Sequence, residues 1–162
     1  MRIKLFAMDV DGTMTDGKLY IGCGGELAKA FQVKDGQGIA LLRKAGILTA
    51  VITARESEIV RRRTEELHID EVWQGVSDKG AVLRQLCEKY GLGADEAAYI
   101  GDDTGDLPAL NLAGLSFCPA DAAPEVRRAV KVILPSKGGD GAIRDAAEWI
   151  LSSLPADSRE QA

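Results

Sequence analysis

The segment Ile3-Lys-Leu-Phe-Ala-Met-Asp-Val-Asp-Gly-Thr13 joins an apolar run to two closely spaced carboxylates. Its first six residues predict a buried strand, because they are almost continuously apolar and lead into an Asp-Gly turn signal. Asp9 and Asp11 then lie where the chain leaves the carboxyl edge of a sheet, the edge at which open α/β sheets bind ligands. This stretch therefore predicts a fold class and the position of a site.

Apolar runs of the same kind recur along the chain and alternate with amphipathic stretches, a pattern typical of a mostly parallel sheet. The predicted strands span residues 3–8, 47–52, 71–73, 97–100, 115–118 and 130–134. The predicted helices span residues 38–44, 56–67, 79–90, 106–113, 123–129 and 142–151. We therefore expect an α/β protein with a Rossmann-like, doubly wound parallel sheet.

Residues 18–33 break this alternation. Two strand-like segments, 19–21 and 29–33, flank the glycine-rich Gly22-Cys-Gly-Gly25 and predict a β-hairpin that projects after the first strand. The hairpin would expose strand edges and several apolar side chains, which are Leu19, Ile21, Phe31 and Val33. Because such a surface is a liability in a monomer, it favours an oligomer.

The length of 162 residues, with 46% hydrophobic and 28% charged residues, is that of one globular domain. We expect this domain over residues 1–154, no separate cap domain, and a flexible polar tail over residues 155–162. No apolar run approaches the roughly 18 residues that span a membrane. A net charge of −5 argues against nucleic-acid binding. The three cysteines suit neither a disulfide framework nor a zinc site, which favours the cytoplasm.

Further polar residues stand where predicted strands end or predicted helices begin, and they are Thr53, Lys79, Asp102, Asp103 and Asp106. Taken singly, they have ordinary explanations, such as a helix cap, a solvated lysine or an acidic loop. Because parallel strands share one carboxyl edge, the ordered set together with Asp9 and Asp11 predicts one convergent site.

The residue types in this set suit the hydrolysis of a phosphate monoester. Paired carboxylates repel each other unless a cation neutralises them, and Mg²⁺ prefers hard oxygen ligands such as Asp9, Asp102 and a backbone carbonyl near Asp11. Asp9 would attack phosphorus and form an aspartyl-phosphate. Asp11 would protonate the leaving group and later deprotonate the hydrolytic water. Thr53 and Lys79 would hold the transferring oxygens.

The motifs resemble the four motifs of the haloacid-dehalogenase superfamily, and here they read Asp9-Val-Asp-Gly-Thr13, Thr53, Lys79 and Gly101-Asp-Asp-Thr-Gly-Asp106. Within it, the chain looks like the small capless phosphatases that act on 3-deoxy-D-manno-octulosonate 8-phosphate. Four more segments support that subfamily: Thr15-Asp-Gly17, Phe31-Gln-Val-Lys-Asp-Gly-Gln-Gly-Ile39, Thr53-Ala-Arg55 and Gly138-Gly-Asp-Gly-Ala-Ile-Arg144.

The resemblance implies metal ligation by Asp9, Asp102 and the carbonyl of Asp11, with Asp103 or Asp106 holding Lys79 or the metal-bound water. It implies substrate contacts from Asp11, Gln32, Val33, Lys34, Asp35, Gly36, Arg55, Arg63 and Lys79. The two arginines suit a sugar acid, because guanidinium groups bind carboxylates in a bidentate manner. The resemblance also implies a homotetramer in which a neighbouring subunit closes the site.

Three alternatives stay open at this point. Ala40 stands where the family commonly has arginine, so the substrate could be a nine-carbon, sialic-acid-like sugar 9-phosphate. The chain could instead be a catalytically silent regulatory domain, although the intact Asp9 and Asp11 argue against this. A phosphoacceptor receiver domain also uses clustered Asp, Thr and Lys, but the Asp-x-Asp-Gly arrangement and the projecting hairpin favour the phosphatase.

Overall fold

The computed structural model describes residues 3–154, so the tail predicted over residues 155–162 lies outside the described residues. The strands are β1 (Leu5–Met8), β2 (Tyr20–Gly22), β3 (Gly25–Ala28), β4 (Leu48–Ile52), β5 (Glu71–Trp73), β6 (Ala97–Ile100), β7 (Leu115–Cys118) and β8 (Val132–Ile133). The helices are α1 (Val33–Lys44), α2 (Glu58–Glu66), α3 (Lys79–Tyr90), α4 (Leu107–Leu112), α5 (Pro124–Ala129) and α6 (Ala142–Ser152).

Six of these strands form one parallel sheet in the order β5-β4-β1-β6-β7-β8, which confirms the predicted fold class. The chain winds outward from β1 through β4 to β5 and then returns to the other side of β1 at β6. The crevice between β1 and β6 is therefore the switch point at which doubly wound sheets bind ligands. Met8, the last residue of β1, pairs with Val51 and Ile100, so β1 and β6 end at one level and β4 ends one residue later.

Helices cover both faces of this sheet. Residues of α1, α2 and α6 pack on one face with Phe6 and Met8 of β1, whereas residues of α3, α4 and α5 pack on the other with Leu5 and Ala7. Because successive side chains of a strand point to opposite faces, burying both faces requires the nearly continuous apolar runs seen in the sequence. Within residues 3–154, no helix combines the length and the apolarity needed to cross a membrane.

The hairpin is present, but its second strand lies earlier than the sequence predicted. β2 and β3 pair antiparallel, and β3 begins at Gly25, which has a φ of +110°. The return strand predicted over residues 29–33 is wrong, because Gln32 is the N-cap of α1 and its side-chain oxygen accepts a hydrogen bond from the Lys34 N–H at 3.5 Å. The helix therefore begins at Val33, well before its predicted start.

The hairpin exposes a group of apolar side chains that we call the hairpin surface, formed by Leu19, Tyr20, Ile21 and Leu27. Phe31, which the sequence placed on the hairpin, instead packs against the core beneath α1, α2 and α6. It does so because it lies in the connection from β3 to α1, outside the hairpin. Val33 is exposed, as predicted, but it belongs to α1.

A glycine-rich loop before α6 packs against the chain where that chain leaves β1. The Gly139 N–H donates a hydrogen bond to the Thr13 carbonyl oxygen at 3.0 Å. A Cβ atom at Gly138 would lie 1.9 Å from the Gly12 carbonyl oxygen. The two backbones can approach this closely only because residue 138 has no side chain.

We expect Gly138→Ala to lower the free energy of unfolding by about 3 kcal/mol, at the upper end of the usual cost of overpacking, because the new methyl group would meet backbone. Urea unfolding followed by circular dichroism measures this change. Gly24→Ala is the matched control, because a Cβ there meets nothing within 4 Å. Equal stability of the two variants would contradict the close packing of this loop.

Candidate active site

The chain turns sharply where it leaves β1. The Val10 carbonyl oxygen accepts hydrogen bonds at 3.1, 2.9 and 3.1 Å from three backbone N–H groups, those of Thr13, Met14 and Thr15. Gly12 has a φ of +90°, and a Cβ atom there would lie 2.1 Å from Asp102 Oδ2. The turn therefore fits tightly around the acidic loop that follows β6.

Asp9 lies at the start of this turn, in contact with Lys79. Its backbone N–H donates to the Ile100 carbonyl oxygen at 3.0 Å and so extends the pairing of β1 with β6. Its buried carboxylate accepts a hydrogen bond at 2.7 Å from Lys79 Nζ, which reaches it from the first residue of α3. Burial raises the pKa of Asp9 well above its ordinary value, and Asp106 adds to this rise while Lys79 opposes it.

Asp106 holds the same lysine from the other side. Its Oδ1 accepts hydrogen bonds from Lys79 Nζ at 2.7 Å and from the Tyr99 hydroxyl at 2.8 Å. Its Oδ2 accepts from the backbone N–H groups of Asp102 and Asp103 at 3.0 and 3.2 Å. Of the two aspartates predicted to hold Lys79, Asp106 is thus the one in contact with it, whereas the Asp103 residue is exposed.

The carboxylates of this edge form a group that fits a divalent cation. Asp9, Asp102 and Asp106 each place an oxygen within 4.8 Å of the others, and their charges meet the single ammonium of Lys79. Burial, followed by Asp106, raises the pKa of Asp102 to about 6, although the Thr13 hydroxyl donates to its Oδ1 at 3.1 Å. Clustered hard oxygens with excess negative charge suit Mg²⁺. Because both oxygens of Asp106 already accept hydrogen bonds, Asp9 and Asp102 are the better ligands.

Thr53 comes to the same edge from β4. It lies two residues beyond Val51, as Val10 lies two residues beyond Met8, and Met8 pairs with Val51 in the sheet. The Thr53 N–H donates to the Trp73 carbonyl oxygen at 2.9 Å, and the residue is buried. Thr53 therefore lies at the same edge of the sheet as the turn that carries Asp9 and Asp11.

Asp11 faces two cations, one of which the sequence analysis missed. Lys29 follows β3 and forms a salt bridge with Asp11, and only 1% of the Lys29 side chain is exposed. Arg55 Nε lies 3.9 Å from Asp11 Oδ2, and its side chain is 45% exposed. Burial lowers the pKa of Lys29, but Asp11 and Glu26 outweigh this effect, so the pKa is raised. In the sequence, Lys29 looks like any solvated lysine of a hairpin.

The predicted substrate segment, residues 32–36, forms the start of α1. Val33 and Lys34 are exposed, whereas Asp35 is buried and accepts a hydrogen bond from the Arg144 N–H at 2.9 Å. Burial raises the pKa of Asp35 to about 6, and this hydrogen bond opposes the rise. The structure thus engages Asp35 in the contact between α1 and α6 and not in the acidic cluster.

Arg63 also lies apart from the acidic cluster. Its Nη1 pairs with Glu66 at 2.8 Å, and its guanidinium group lies over the Phe31 ring at 5.6 Å from the centroid. A Cβ atom at Gly36 would lie 3.0 Å from its Nη2, so the side chain faces the first turn of α1. Arg55 precedes α2, so the two arginines do not share one helix face.

Comparison with known proteins agrees with this geometry. The family model described as haloacid dehalogenase-like hydrolase matches residues 71–144. The 3-deoxy-D-manno-octulosonate 8-phosphate phosphatase KdsC of Haemophilus influenzae is 42% identical over 151 residues, which cover 93% of this chain and 84% of that protein. The fold and the acidic edge are those of a haloacid dehalogenase-like hydrolase.

Two solved structures share this fold at 40% identity, and each match covers 98% of this chain and 90% of the other. One is the Moraxella catarrhalis 3-deoxy-D-manno-octulosonate 8-phosphate phosphatase with magnesium, phosphate and KDO, with a TM-score of 0.92. The other is the cobalt-bound deoxy-D-mannose-octulosonate 8-phosphate phosphatase of Haemophilus influenzae, with a TM-score of 0.91. The chain belongs to the family of the 3-deoxy-D-manno-octulosonate 8-phosphate phosphatases.

The raised pKa of Asp35 predicts that the free energy of unfolding depends on pH. Burial favours the neutral carboxyl group. The stability that this neutral group gives the folded chain is therefore complete below about pH 4 and is lost as the pH rises through about 6. Asp35→Asn does not titrate. The stability of the unaltered chain should therefore fall relative to this variant by about 2–3 kcal/mol between pH 4 and pH 7.

Urea unfolding of both proteins across that pH range measures this difference. Comparing the two proteins removes the titration of all the other carboxyl groups. A difference that stays constant from pH 4 to pH 7 would show that Asp35 is ionised normally in the folded chain.

Proposed function

We propose that this chain is a Mg²⁺-dependent phosphomonoesterase that hydrolyses 3-deoxy-D-manno-octulosonate 8-phosphate to the free sugar acid and phosphate through an aspartyl-phosphate. The observation that carries the proposal is the buried Asp9 carboxylate, which Lys79 holds beside Asp102 at the edge where Asp11 also lies. The names and identities of the relatives support the substrate.

Asp9 is the nucleophile in this proposal. Its carboxylate oxygen attacks phosphorus as the bond to the leaving oxygen breaks. Lys79 donates to Asp9 and is itself held by Asp106, so its charge is in place before substrate arrives. Preorganised charge of this kind stabilises the transferring oxygens, and the buried Thr53 at the same edge adds a hydroxyl donor.

Asp11 serves as the general acid and base. Its side chain is partly exposed and lies beside the cations Lys29 and Arg55. It gives its proton to the departing alkoxide and then takes one from the water that hydrolyses the aspartyl-phosphate. A carboxyl group two residues from the nucleophile can reach the leaving oxygen without contacting phosphorus.

The metal in this proposal is Mg²⁺, as in the Moraxella catarrhalis relative. The carboxylates of Asp9 and Asp102 and the carbonyl of Asp11 would hold it, and its charge would offset the excess of carboxylates over Lys79. When bound, the ion stabilises negative charge on the phosphoryl oxygens. Asp106 is not a ligand in this proposal, because its carboxylate accepts the hydrogen bond that holds Lys79 in place.

We assign Arg55 the binding of the substrate's carboxylate. Its guanidinium group is accessible and lies beside Asp11, at the mouth of the site. Gln32, Val33, Lys34 and Gly36 at the start of α1 remain the predicted contacts of the sugar. Asp35 and Arg63 are engaged with Arg144 and Glu66, so we assign them the support of this segment.

The decisive assay measures phosphate release from 3-deoxy-D-manno-octulosonate 8-phosphate by the full chain with Mg²⁺. We expect Asp9→Asn to reduce kcat by about a thousandfold or more, because a carboxamide is a poor nucleophile of nearly the same size. EDTA should abolish turnover of the unaltered chain, and Mg²⁺ should restore it.

The Tm of Asp9→Asn serves as the control for folding and should not fall, because the change removes one of several clustered negative charges. Turnover by Asp9→Asn near the wild-type rate would rule out Asp9 as the nucleophile. A faster reaction with a nine-carbon sugar 9-phosphate than with the eight-carbon ester would overturn the proposed substrate but not the chemistry.

We infer that the active assembly is a homotetramer built on the hairpin surface. Ile21 and Leu27 are 60% and 68% exposed, and within residues 3–154 no cap domain covers the site. Contact with a second copy would bury these apolar side chains and exclude water from the site. Free Cys23, Cys87 and Cys118 agree with a reducing compartment, so we place the assembly in the cytoplasm.

Replacing both Ile21 and Leu27 with Asp should dissociate this assembly, because two charges would be buried in an apolar contact. Sedimentation velocity measures the mass, and Ile133→Asp is the control because Ile133 is exposed on β8, outside the hairpin. An unaltered chain that sediments as a fully active monomer would show that the hairpin surface does not build the active species.

A further inference from the structure

The hairpin contributes a buried charge to the site as well as an apolar surface. Lys29 directly follows β3, and its side chain is 1% exposed although its neighbours in the hairpin surface face solvent. Its Nζ contacts the carboxylate of Asp11 and lies 2.9 Å from Glu26 Oε1. One ammonium group therefore bridges the turn after β1 and the second strand of the hairpin.

Glu26 is itself held at its other oxygen. The Ser57 hydroxyl donates to Glu26 Oε2, and Ser57 is the N-cap of α2, where its Oγ accepts from the Val60 N–H at 3.3 Å. The Ser57 N–H donates to Gln74 Oε1 at 2.7 Å. The contacts from Asp11 through Lys29 and Glu26 to Ser57 thus tie the hairpin to the start of α2.

This arrangement restrains Asp11 more firmly than its other neighbour can. The side chain of Arg55 is 45% exposed and its Nε lies 3.9 Å from Asp11, so solvent weakens that pair. The side chain of Lys29 is 1% exposed, and a buried ammonium group is stable only where carboxylates compensate its charge. The position of Lys29 is therefore fixed by Glu26, and the position of the Asp11 carboxyl group is fixed by Lys29.

We propose that Lys29 is a positioning residue, which orients the carboxyl group of Asp11 toward the leaving oxygen of the substrate, and that Glu26 holds Lys29 in place. This inference rests on the proposed function. In the step concerned, the bond from Asp9 to phosphorus forms while the bond from phosphorus to the leaving oxygen breaks. Lys29 contacts Asp11 Oδ1, so Oδ2 carries the proton, which moves to the leaving oxygen and leaves Asp11 as a carboxylate.

The test compares two esters that differ in their need for an acid. The alkoxide of glycerol 3-phosphate is a poor leaving group and must be protonated, whereas the anion of 2,4-dinitrophenyl phosphate leaves without a proton. We expect Lys29→Met to lower kcat/KM for the alkyl ester by about a hundredfold, at the lower end of what general acid catalysis contributes. The loss for the aryl ester should stay below about tenfold, because that ester does not use the acid.

Two further variants separate positioning from folding. Lys18→Met removes a lysine of the same hairpin region that is 73% exposed and pairs with Asp16, and both rates should stay unchanged. In an Asp11→Asn background, Lys29→Met should leave the ratio of the two rates unchanged, because the group that it positions is already lost. Retained aryl phosphatase activity shows that Lys29→Met is folded.

Each outcome decides one hypothesis. Equal losses on both esters, or no loss on either, would overturn the positioning role of Lys29 and leave the proposed function standing. A further fall of the alkyl rate relative to the aryl rate in the Asp11→Asn background would also overturn it, because Lys29 would then act on the alkyl ester independently of Asp11. Absence of turnover of 3-deoxy-D-manno-octulosonate 8-phosphate by the unaltered chain would overturn the proposed function, and this inference with it.

Discussion

The hydrogen bonds of the Lys79 ammonium group to Asp9 and Asp106, each 2.7 Å long, are the interaction on which the site depends. They join the end of β1, the start of α3 and the loop after β6, three segments that are far apart in sequence. Without this cation, two buried carboxylates and the half-buried one of Asp102 would face one another, and their repulsion would favour a more open and hydrated edge. Lys79 therefore supports the fold of this edge as well as the proposed chemistry.

The backbone segments around this interaction pack unusually closely and hold it in place. Gly12 leaves room for Asp102, and Gly138 lets a second loop pack against the carbonyl of Gly12. Asp106 accepts four hydrogen bonds, two of them from the backbone of the loop that carries Asp102. The site is thus held by short, rigid contacts, as preorganised electrostatic catalysis requires. The charge that remains uncompensated is what makes a divalent cation fit.

The hairpin differs from the rest of the molecule because it is tied to the site by charge and not by a shared core. Its apolar side chains face outward, while Lys29 and Glu26 carry its contacts with Asp11 and with the start of α2. An assembly that covers the hairpin surface would therefore also steady the segment that holds Asp11. Closure of the site and placement of its acid would then depend on the same few residues.

The sequence by itself determined the sheet, its doubly wound character and the residues at its carboxyl edge. These follow from local patterns, because a strand buried on both faces must be apolar and the polar residues that end it must lie at its edge. Asp9, Asp102, Lys79 and Asp106 were predicted in this way, and the fold brings them together.

Only the tertiary structure decided the hairpin register, the separate surroundings of Asp35 and Arg63, and the burial of Lys29. The capping of α1 by Gln32 outweighed the strand-like pattern of residues 29–33. Lys29 carries no local mark of burial, because Asp11, which it contacts, and Ser57, which holds Glu26, are brought to the hairpin only by the fold. A charge is buried or solvated according to what the rest of the chain brings to it, and no local pattern contains that information.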